Sequence, residues 1–309
     1  MAILLCTTGK ARERWRPLLA AALPGHELRV WPDIGEGAAI DHALVWHPQP
    51  GLLASLPKLR LIVSLGAGVD HILRDPTVPR GVPILRLVDP YMTQAMSEYV
   101  VFQVLRLHRQ DIDYRMQQAA GEWREREQRN APERRVGILG FGTLGQDAGR
   151  KLQALGFDIA GWSRSEKTVP GFTAYAGPAG LDALLARSEI LVSLLPATPE
   201  TEDILDAGLF ARLPRGASIV NAGRGRHLVE ADLLAALESG RLSAAVLDVF
   251  RDEPLPPQHP FWRHPRIVVT PHIAADTHPP TAAPIIAAAI RDFEAGLPLA
   301  NLIDPTRGY

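Results

Sequence analysis

Arg135-Val136-Gly137-Ile138-Leu139-Gly140-Phe141-Gly142-Thr143-Leu144-Gly145-Gln146 is the most informative stretch of the chain. An apolar run opens directly onto Gly140-x-Gly142-x-x-Gly145, and a helical pattern over Leu144–Leu155 follows. Each glycine has a physical task in that context. Gly140 permits a tight turn, Gly142 lets the backbone approach a pyrophosphate, and Gly145 lets the helix pack on the strand. The pyrophosphate would lie on the helix N-terminus, where the N–H groups of Thr143 and Leu144 lack helical acceptors. The spacing alone also suits an ordinary strand–helix turn; the flanking strand and helix favour dinucleotide binding.

Working outward, short runs rich in Ile, Leu and Val recur at Val136–Leu139, Asp158–Trp162, Ile190–Leu195, Ser218–Asn221, Ala244–Asp248 and Ile267–Val269. Helical patterns lie between them at Leu144–Leu155, Asp182–Ala186 and Val229–Glu238. The first hundred residues alternate in the same way. Strands are expected at Ala2–Cys6, Glu27–Trp31, His42–Trp46, Leu59–Leu65 and Pro83–Leu87, with helices at Arg12–Leu23 and Leu52–Leu56. Strand–helix alternation implies parallel sheets covered by helices, so the fold class is α/β with two doubly wound parallel-sheet units. A long helical segment is expected from Thr93 to about Gln118. Its middle, Tyr99–Leu107, is apolar on nearly every side and predicts burial on two faces, between domains or between subunits. Gly121–Arg135 is highly charged and reads as an exposed connection; Pro280–Ala295 reads as an Ala-rich helix.

Composition narrows the function classes. The 309 residues are 46% hydrophobic and 22% charged, an ordinary globular balance that suits two domains. Lys+Arg is 33 and Asp+Glu is 34, a net charge of −1, so no global field attracts polyanions and no nucleic-acid partner is expected. No apolar stretch approaches the roughly 20 residues of a membrane span, so no membrane partner is expected. The start, Met1-Ala2-Ile3-Leu4-Leu5-Cys6, predicts no signal peptide, and a cytoplasmic protein is expected. The single cysteine, Cys6, cannot form an internal disulfide and reads as a small core residue; no metal is expected.

The second strand of the glycine-loop unit bears on the cofactor. NAD enzymes place a carboxylate at its end, about 20 residues on, for the ribose 2′-hydroxyl. Here the strand ends in Ser163-Arg164-Ser165 with Lys167 close behind. An Arg clamps a 2′-phosphate bidentately where a carboxylate would repel it. NADPH is therefore expected, with NADH a weaker alternative, held by Ser163, Arg164, Ser165 and Lys167; Glu166 is a counter-signal.

Three polar stretches leave later strands in the same direction: Asn221-Ala222-Gly223-Arg224-Gly225, Asp248-Val249-Phe250-Arg251-Asp252-Glu253-Pro254, and Thr270-Pro271-His272. Loops beyond the strands' C-terminal ends form the ligand crevice of an open α/β sheet. Arg224, Glu253 and His272 suit reduction of a ketone beside a carboxylate. An Arg fork holds the carboxylate or polarises the ketone, a protonated His supplies the proton, and a Glu on its other nitrogen fixes the tautomer. Asp248 is either a strand-end turn residue or an acceptor for the nicotinamide carboxamide. Singly, Arg224 reads equally as a surface cap, Glu253 as a loop carboxylate and His272 as a core histidine; the case rests on their joint placement.

These residues resemble the D-isomer-specific 2-hydroxyacid dehydrogenase family over essentially the whole chain, and within it the branch that reduces glyoxylate and hydroxypyruvate. The resemblance is carried by Ala43-Leu-Val-Trp46-His-Pro48, Leu65-Gly-Ala-Gly68-Val-Asp70, Ile138-Leu-Gly-x-Gly142, Trp162-Ser-Arg164, Leu194-Leu-Pro196-x-Thr198-Pro-Glu-Thr201, Leu247-Asp-Val-Phe250-x-x-Glu253-Pro-Leu255, Thr270-Pro-His272 and the terminal Arg307-Gly-Tyr309. It implies Arg224 as substrate-binding Arg, Glu253 as partner of His272, and His272 as acid/base that also touches substrate. It further implies cofactor contacts at Leu195, Pro196, Thr201, Ala222 and Gly223. The Gly66–Val69 loop would hold the substrate carboxylate through Ala67 and Gly68, and Trp46 would wall the pocket. The domain organisation it implies is a substrate domain of residues 1–96 and 282–309 interrupted by a Rossmann cofactor domain at 97–281, with a homodimer through the latter. The implied activity is NADPH-preferring reduction of small 2-oxoacids, glyoxylate to glycolate and hydroxypyruvate to D-glycerate. A dehydrogenase of larger oxoacids and a non-catalytic dinucleotide-sensing interaction protein are the alternatives. Where the family's long helix opens Ala-Glu-His, this chain reads Ser97-Glu98-Tyr99.

Overall fold

The computed structural model describes residues 1–7 and 9–304; the Arg307-Gly308-Tyr309 tail lies outside the described residues. The chain divides into two compact units. One comprises Met1–Met92 and the segment from Asp276 onward, and the other is Thr93–Ala275. The sequence reading sets these boundaries a few residues later, at 96/97 and 281/282.

In the first unit the elements run β1 (Ala2–Cys6), α1 (Gly9–Ala22), β2 (Glu27–Val30), β3 (Ile40–Val45), β4 (Leu61–Ser64), α2 (Asp70–Leu73) and β5 (Ile84–Leu85). The strands form one five-stranded sheet in the order β2-β1-β3-β4-β5, parallel throughout. Its interior strands are buried and mostly apolar, broken by half-buried Asp41 and buried His42 in β3 and by Ser64 at the end of β4, as suits a sheet covered on both faces. Cys6 is one of these buried residues. Leu52–Leu56, expected as a helix, forms only a 3-10 turn at Leu53–Ser55.

Helix α3 (Pro90–His108) leads into the second unit and is followed by α4 (Asp111–Ala120). The expected single helix is thus two, broken where Gln110 adopts a left-handed φ of 59°. The expectation for Tyr99–Leu107 holds in part. Tyr99, Val100 and Val104 are buried, but Phe102 is 55% exposed in the single chain. Residues 121–130 form no helix or strand and are largely exposed, in line with the connection expected over Gly121–Arg135, whose end forms a 3-10 turn at Ala131–Glu133 and the first residue of the next strand.

The second unit continues with β6 (Arg135–Leu139), α5 (Thr143–Ala154), β7 (Asp158–Ser163), β8 (Thr173–Ala176), α6 (Gly177–Arg187), β9 (Ile190–Ser193), α7 (Ala207–Arg212), β10 (Ala217–Asn221), α8 (Glu230–Glu238), β11 (Leu242–Leu247) and β12 (Ile267–Val269). Helix α9 (Pro279–Glu294) then returns to the first unit. Both α7 and the edge strand β8 were missing from the sequence expectation. The sheet is seven-stranded and parallel, in the order β12-β11-β10-β9-β6-β7-β8. Its order reverses between β6 and β9, so the loop after β6 stands at the switch point where such sheets bind ligands.

Alternate side chains serve the two faces. Val136, Ile138, Val192, Val220 and Val246 join one core with Val100 and Val104 of α3. Leu139, Leu191, Ile219 and Leu247 join the other with Leu184 and Phe210. The register is even: Tyr175, Trp162, Leu139, Ser193, Asn221, Leu247 and Val269 pair across the sheet in one row. Each loop of this unit read as functional begins within two residues of that row.

Candidate active site

The glycine loop follows Leu139 directly. Gly140 has φ 88°, and a Cβ there would lie 2.6 Å from the Leu194 carbonyl oxygen. The turn is closed by the Gly140 and Phe141 amides, which both donate to the Trp162 carbonyl at 3.0 Å. A Cβ on Gly145 would meet the Gly140 oxygen at 2.4 Å, so only glycine lets α5 pack this close. Gly142 differs: among the described residues nothing stands within 4 Å of its absent Cβ. The loop therefore leaves open space at the start of α5, in front of the Thr143 and Leu144 amides, and fits a pyrophosphate.

At the end of β7, Trp162 Nε1 donates to the Gly177 carbonyl at 2.8 Å, which fixes the strand end. The Ser163 hydroxyl is buried and has no partner among the described residues, while Arg164, Ser165 and Lys167 are exposed beside it. An orphaned buried hydroxyl next to exposed cations fits a phosphate oxygen.

Leu195 and Pro196 follow β9. Thr201, expected as a cofactor contact, has its hydroxyl engaged within this loop: it donates to the Pro196 carbonyl at 2.7 Å and accepts from the Thr198 amide at 2.9 Å. Its observed work is to shape the loop. His227 was missed in the sequence. Fully buried, it accepts from the Arg224 amide on Nδ1 at 3.2 Å, which leaves Nε2 to donate to the Pro196 carbonyl, also at 3.2 Å. The ring thus fastens the Arg224 loop to the loop after β9. A Cβ on Gly223 would lie 2.9 Å from the Leu195 oxygen, a second close approach between them. Nothing in the sequence separates a fastening His from a surface one; three residues after Arg224 was the only hint.

Arg224 donates through Nη1 to the Gly223 carbonyl at 2.7 Å, and the Asn221 side chain holds the Arg224 carbonyl at 3.0 Å. The next residue brings the third loop in. A Cβ on Gly225 would lie 1.9 Å from the Phe250 carbonyl carbon, so the backbones after β10 and β11 touch. Glu253 then accepts from the Phe250 amide on Oε1 at 2.9 Å and pairs with His272 Nδ1 through Oε2 at 2.7 Å. Burial pushes the Glu253 carboxyl up, but the bonds from His272 and the Phe250 amide outweigh it and hold the group below the ordinary value. The hydrogen bond to Glu253 raises the His272 imidazole against the opposing effect of desolvation. The Arg224 guanidinium acts electrostatically on both groups. The structure therefore brings Arg224, Glu253 and His272 together within the second unit, with Nδ1 of His272 turned to the carboxylate and Nε2 on the far side of the ring.

Asp248, expected at the nicotinamide, is buried with both oxygens engaged. It accepts from Thr270 Oγ1 at 2.6 Å and from the Ile273 and Ala274 amides at 3.0 and 2.9 Å. It fastens the His272 loop.

Trp46, Ala67 and Gly68 belong to the first unit. The Trp46 ring fills the space that a Cβ on Gly66 would need, 2.5 Å away, and packs at 4.4 Å on the His71 ring. Ser64 Oγ braces the loop by donating to the Gly68 carbonyl at 2.8 Å. Among the described residues, the Ala67 and Gly68 amides meet no acceptor.

One metal-like cluster lies elsewhere in this unit. His26 and His42 both approach Glu294 Oε1 through Nε2, at 2.8 and 3.0 Å. Their Nδ1 atoms are buried without partners. A metal-bound imidazole carries its proton on the far nitrogen and donates it onward; among the described residues no acceptor stands there. The donor set fits a hydrogen-bonded clasp.

Residues 101–274 match the family described as D-isomer specific 2-hydroxyacid dehydrogenase, NAD binding domain. The chain belongs to the D-isomer-specific 2-hydroxyacid dehydrogenase family. Members are NAD(P)-dependent oxidoreductases, and the Rossmann unit described above is their cofactor-binding part. The chain is 46% identical over 302 residues to the glyoxylate/hydroxypyruvate reductase A of Serratia proteamaculans, covering 96% of each. A D-isomer specific 2-hydroxyacid dehydrogenase from Xanthobacter autotrophicus, solved with NADPH and MES, superposes with a TM-score of 0.95 at 42% identity, over 100% of this chain and 99% of that one. The NADPH-dependent glyoxylate/hydroxypyruvate reductase of Sinorhizobium meliloti, solved with NADP and sulfate, gives 0.93 at 42%, over 100% and 99%. The family resemblance, the α/β class and the doubly wound sheets expected from sequence are borne out.

The close approach at Gly225 gives a direct test. A Gly225→Ala side chain must push the Arg224 loop off Phe250, and a displacement near 1 Å costs about 100-fold in rate. The variant is expected to keep the wild-type circular dichroism spectrum and lose about that factor in kcat/KM for 2-oxoacid reduction.

Proposed function

We propose that this dehydrogenase is an NADPH-preferring reductase of small 2-oxoacids that converts glyoxylate to glycolate and hydroxypyruvate to D-glycerate. The carrying observation is the 2.7 Å contact between His272 Nδ1 and Glu253 Oε2 beside Arg224, in register with the glycine loop. The named activity of the two reductases above supports the substrate pair. In this reading residues 97–281 form the cofactor domain, and 1–96 with 282–309 the substrate domain.

When bound, the reduced nicotinamide supplies a hydride to the carbonyl carbon. Arg224 holds the substrate's carboxylate or polarises its ketone. As negative charge grows on the ketone oxygen, His272 Nε2 donates its proton there, the C=O double bond becomes CH–OH, and the neutral imidazole is later reprotonated from solvent. Glu253 keeps the imidazolium charged and aimed until that moment. In the first unit, the amides of Ala67 and Gly68 are suited to a carboxylate, and the Trp46 ring beside that loop is suited to limit the size of what it accepts.

Ser163 and Arg164, with Ser165 and Lys167, favour the 2′-phosphate of NADPH over NADH; the relatives solved with NADPH or NADP agree. Leu195, Pro196, Ala222 and Gly223 line the path of the cofactor from the glycine loop. A cytoplasmic homodimer through the cofactor domain completes the proposal. The lone buried thiol suits a reducing compartment, and Phe102 and Trp123, 55% and 97% exposed, offer apolar surface for a second copy.

His272→Asn is expected to cut kcat/KM for glyoxylate by about 10²–10⁴-fold; turnover near wild type removes His272 from the mechanism. Because the bond to Glu253 raises its pKa, His272 keeps its proton to higher pH than an ordinary imidazole, and the reduction rate falls as pH climbs through the raised value. Glu253→Gln removes the main cause of that shift and is expected to move the fall to lower pH in a kcat/KM profile. Arg164→Ala is expected to raise the NADPH KM by about 10–100-fold, with the NADH KM changed little. Sedimentation equilibrium is expected to show a dimer that Phe102→Glu combined with Trp123→Glu converts to monomer.

A further inference from the structure

Tyr99 stands in the Ser97-Glu98-Tyr99 departure from the family pattern, and the reaction as described makes no use of it. Its side chain is buried in the second unit, and its hydroxyl lies 2.7 Å from Thr270 Oγ1. Thr270 Oγ1 in turn donates to Asp248 Oδ1 at 2.6 Å. The Thr270 proton is committed to the carboxylate, so the Tyr99 hydroxyl must be the donor at the first contact. The polarity of the whole chain is thereby set, from Tyr99 through Thr270 to Asp248.

At its far end this chain reaches the loop that carries His272. Asp248 binds three successive amides of that loop: its carbonyl accepts from His272 at 2.8 Å, and its carboxylate from Ile273 and Ala274 at 3.0 and 2.9 Å. His272 sits at φ 54°, a conformation that a non-glycine residue keeps only where its surroundings over-determine it. At its near end the chain starts from a fixed helix. Ser97 Oγ donates to Asp147 Oδ2 at 2.5 Å, and Lys151 ties Asp147 and the Gln94 side chain together at 2.6 and 2.5 Å. Asp147 and Lys151 lie on α5, the helix that opens at the glycine loop.

We propose that Tyr99 is a positioning residue for His272: by holding the Thr270 hydroxyl it orients the Asp248 carboxylate that pins the His272 loop. Through Ser97 and Asp147 the same helix keeps that loop in fixed relation to the dinucleotide helix. The proposal rests on the reading of His272 as the general acid. The charged groups facing His272 are Glu253, Arg224 and Asp248. Tyr99 adds none, because burial pushes its phenol up and keeps it neutral, so its influence is geometric.

Tyr99→Phe removes the hydroxyl and keeps the ring. In the full-length protein it is expected to lower kcat/KM for NADPH-dependent glyoxylate reduction about three- to tenfold, the worth of one hydrogen bond, with the NADPH Kd held within about twofold. The His272 imidazole titration, followed by NMR and assigned by its loss in His272→Asn, is expected to move to lower pH as the loop loosens from Glu253. Thr270→Val, which breaks the chain one link later, is expected to move it the same way. A folded Tyr99→Phe protein with wild-type kcat/KM and an unmoved His272 titration overturns the proposal, as does an unmoved titration in Thr270→Val if Tyr99→Phe fails to fold. Absence of oxoacid turnover in the wild-type protein, or full activity in His272→Asn, sinks the functional reading instead; the titration still decides whether Tyr99 holds the loop.

Discussion

The site depends on backbone touching backbone. In the second unit the strands pair so evenly that Leu139, Ser193, Asn221, Leu247 and Val269 share one row, and the loops leaving that row must turn within a few residues of one another. Side chains would hold them apart. At Gly140, Gly145 and Gly225 a methyl group would fall 2.6, 2.4 and 1.9 Å from a neighbouring backbone atom. Removing the side chain at these positions lets the strand end meet the helix start and the Arg224 loop meet the Glu253 loop.

Polar contacts then select one arrangement of the crowded loops. His227 joins two of them through a single tautomer, Thr201 closes one of those two on itself, and Asp248 gathers the amides of a third. What they deliver is an imidazole with one nitrogen turned to a carboxylate and the other turned away, beside a guanidinium. Charge and geometry reinforce each other here: the bond that orients His272 is also the largest cause of its raised pKa.

Much of this was legible in the sequence because it follows from local rules. The glycine loop announces itself by spacing, and Arg224, Glu253 and His272 each follow a recognisable apolar strand. Short or edge elements were harder. Thr173–Ala176 pairs with one neighbour only and lacks a long apolar run, and Ala207–Arg212 is too short for helical periodicity to register. The break at Gln110 was invisible because a non-glycine residue adopts the left-handed backbone there, its side chain bonded to the distant Arg126 and the Glu127 carbonyl. The inward roles of His227, Thr201 and Asp248 were unreadable for a different reason. A polar residue after a strand looks the same in sequence whether it serves a ligand or a neighbouring loop, and only hydrogen-bond partners distinguish the two.

The discontinuity of the first unit has a consequence for biosynthesis. Its sheet is made early, yet α9, with buried Ala282, Ala283, Ile286, Ala287 and Ile290, comes from the far end of the chain. The His26 and His42 rings likewise wait for Glu294. On the ribosome the contiguous unit, Thr93–Ala275, is complete first, and domains tend to fold as they emerge. The nascent protein therefore holds a finished nucleotide-binding half while the earlier-made half still exposes apolar surface, and chaperone demand should fall mainly on the residues synthesised first.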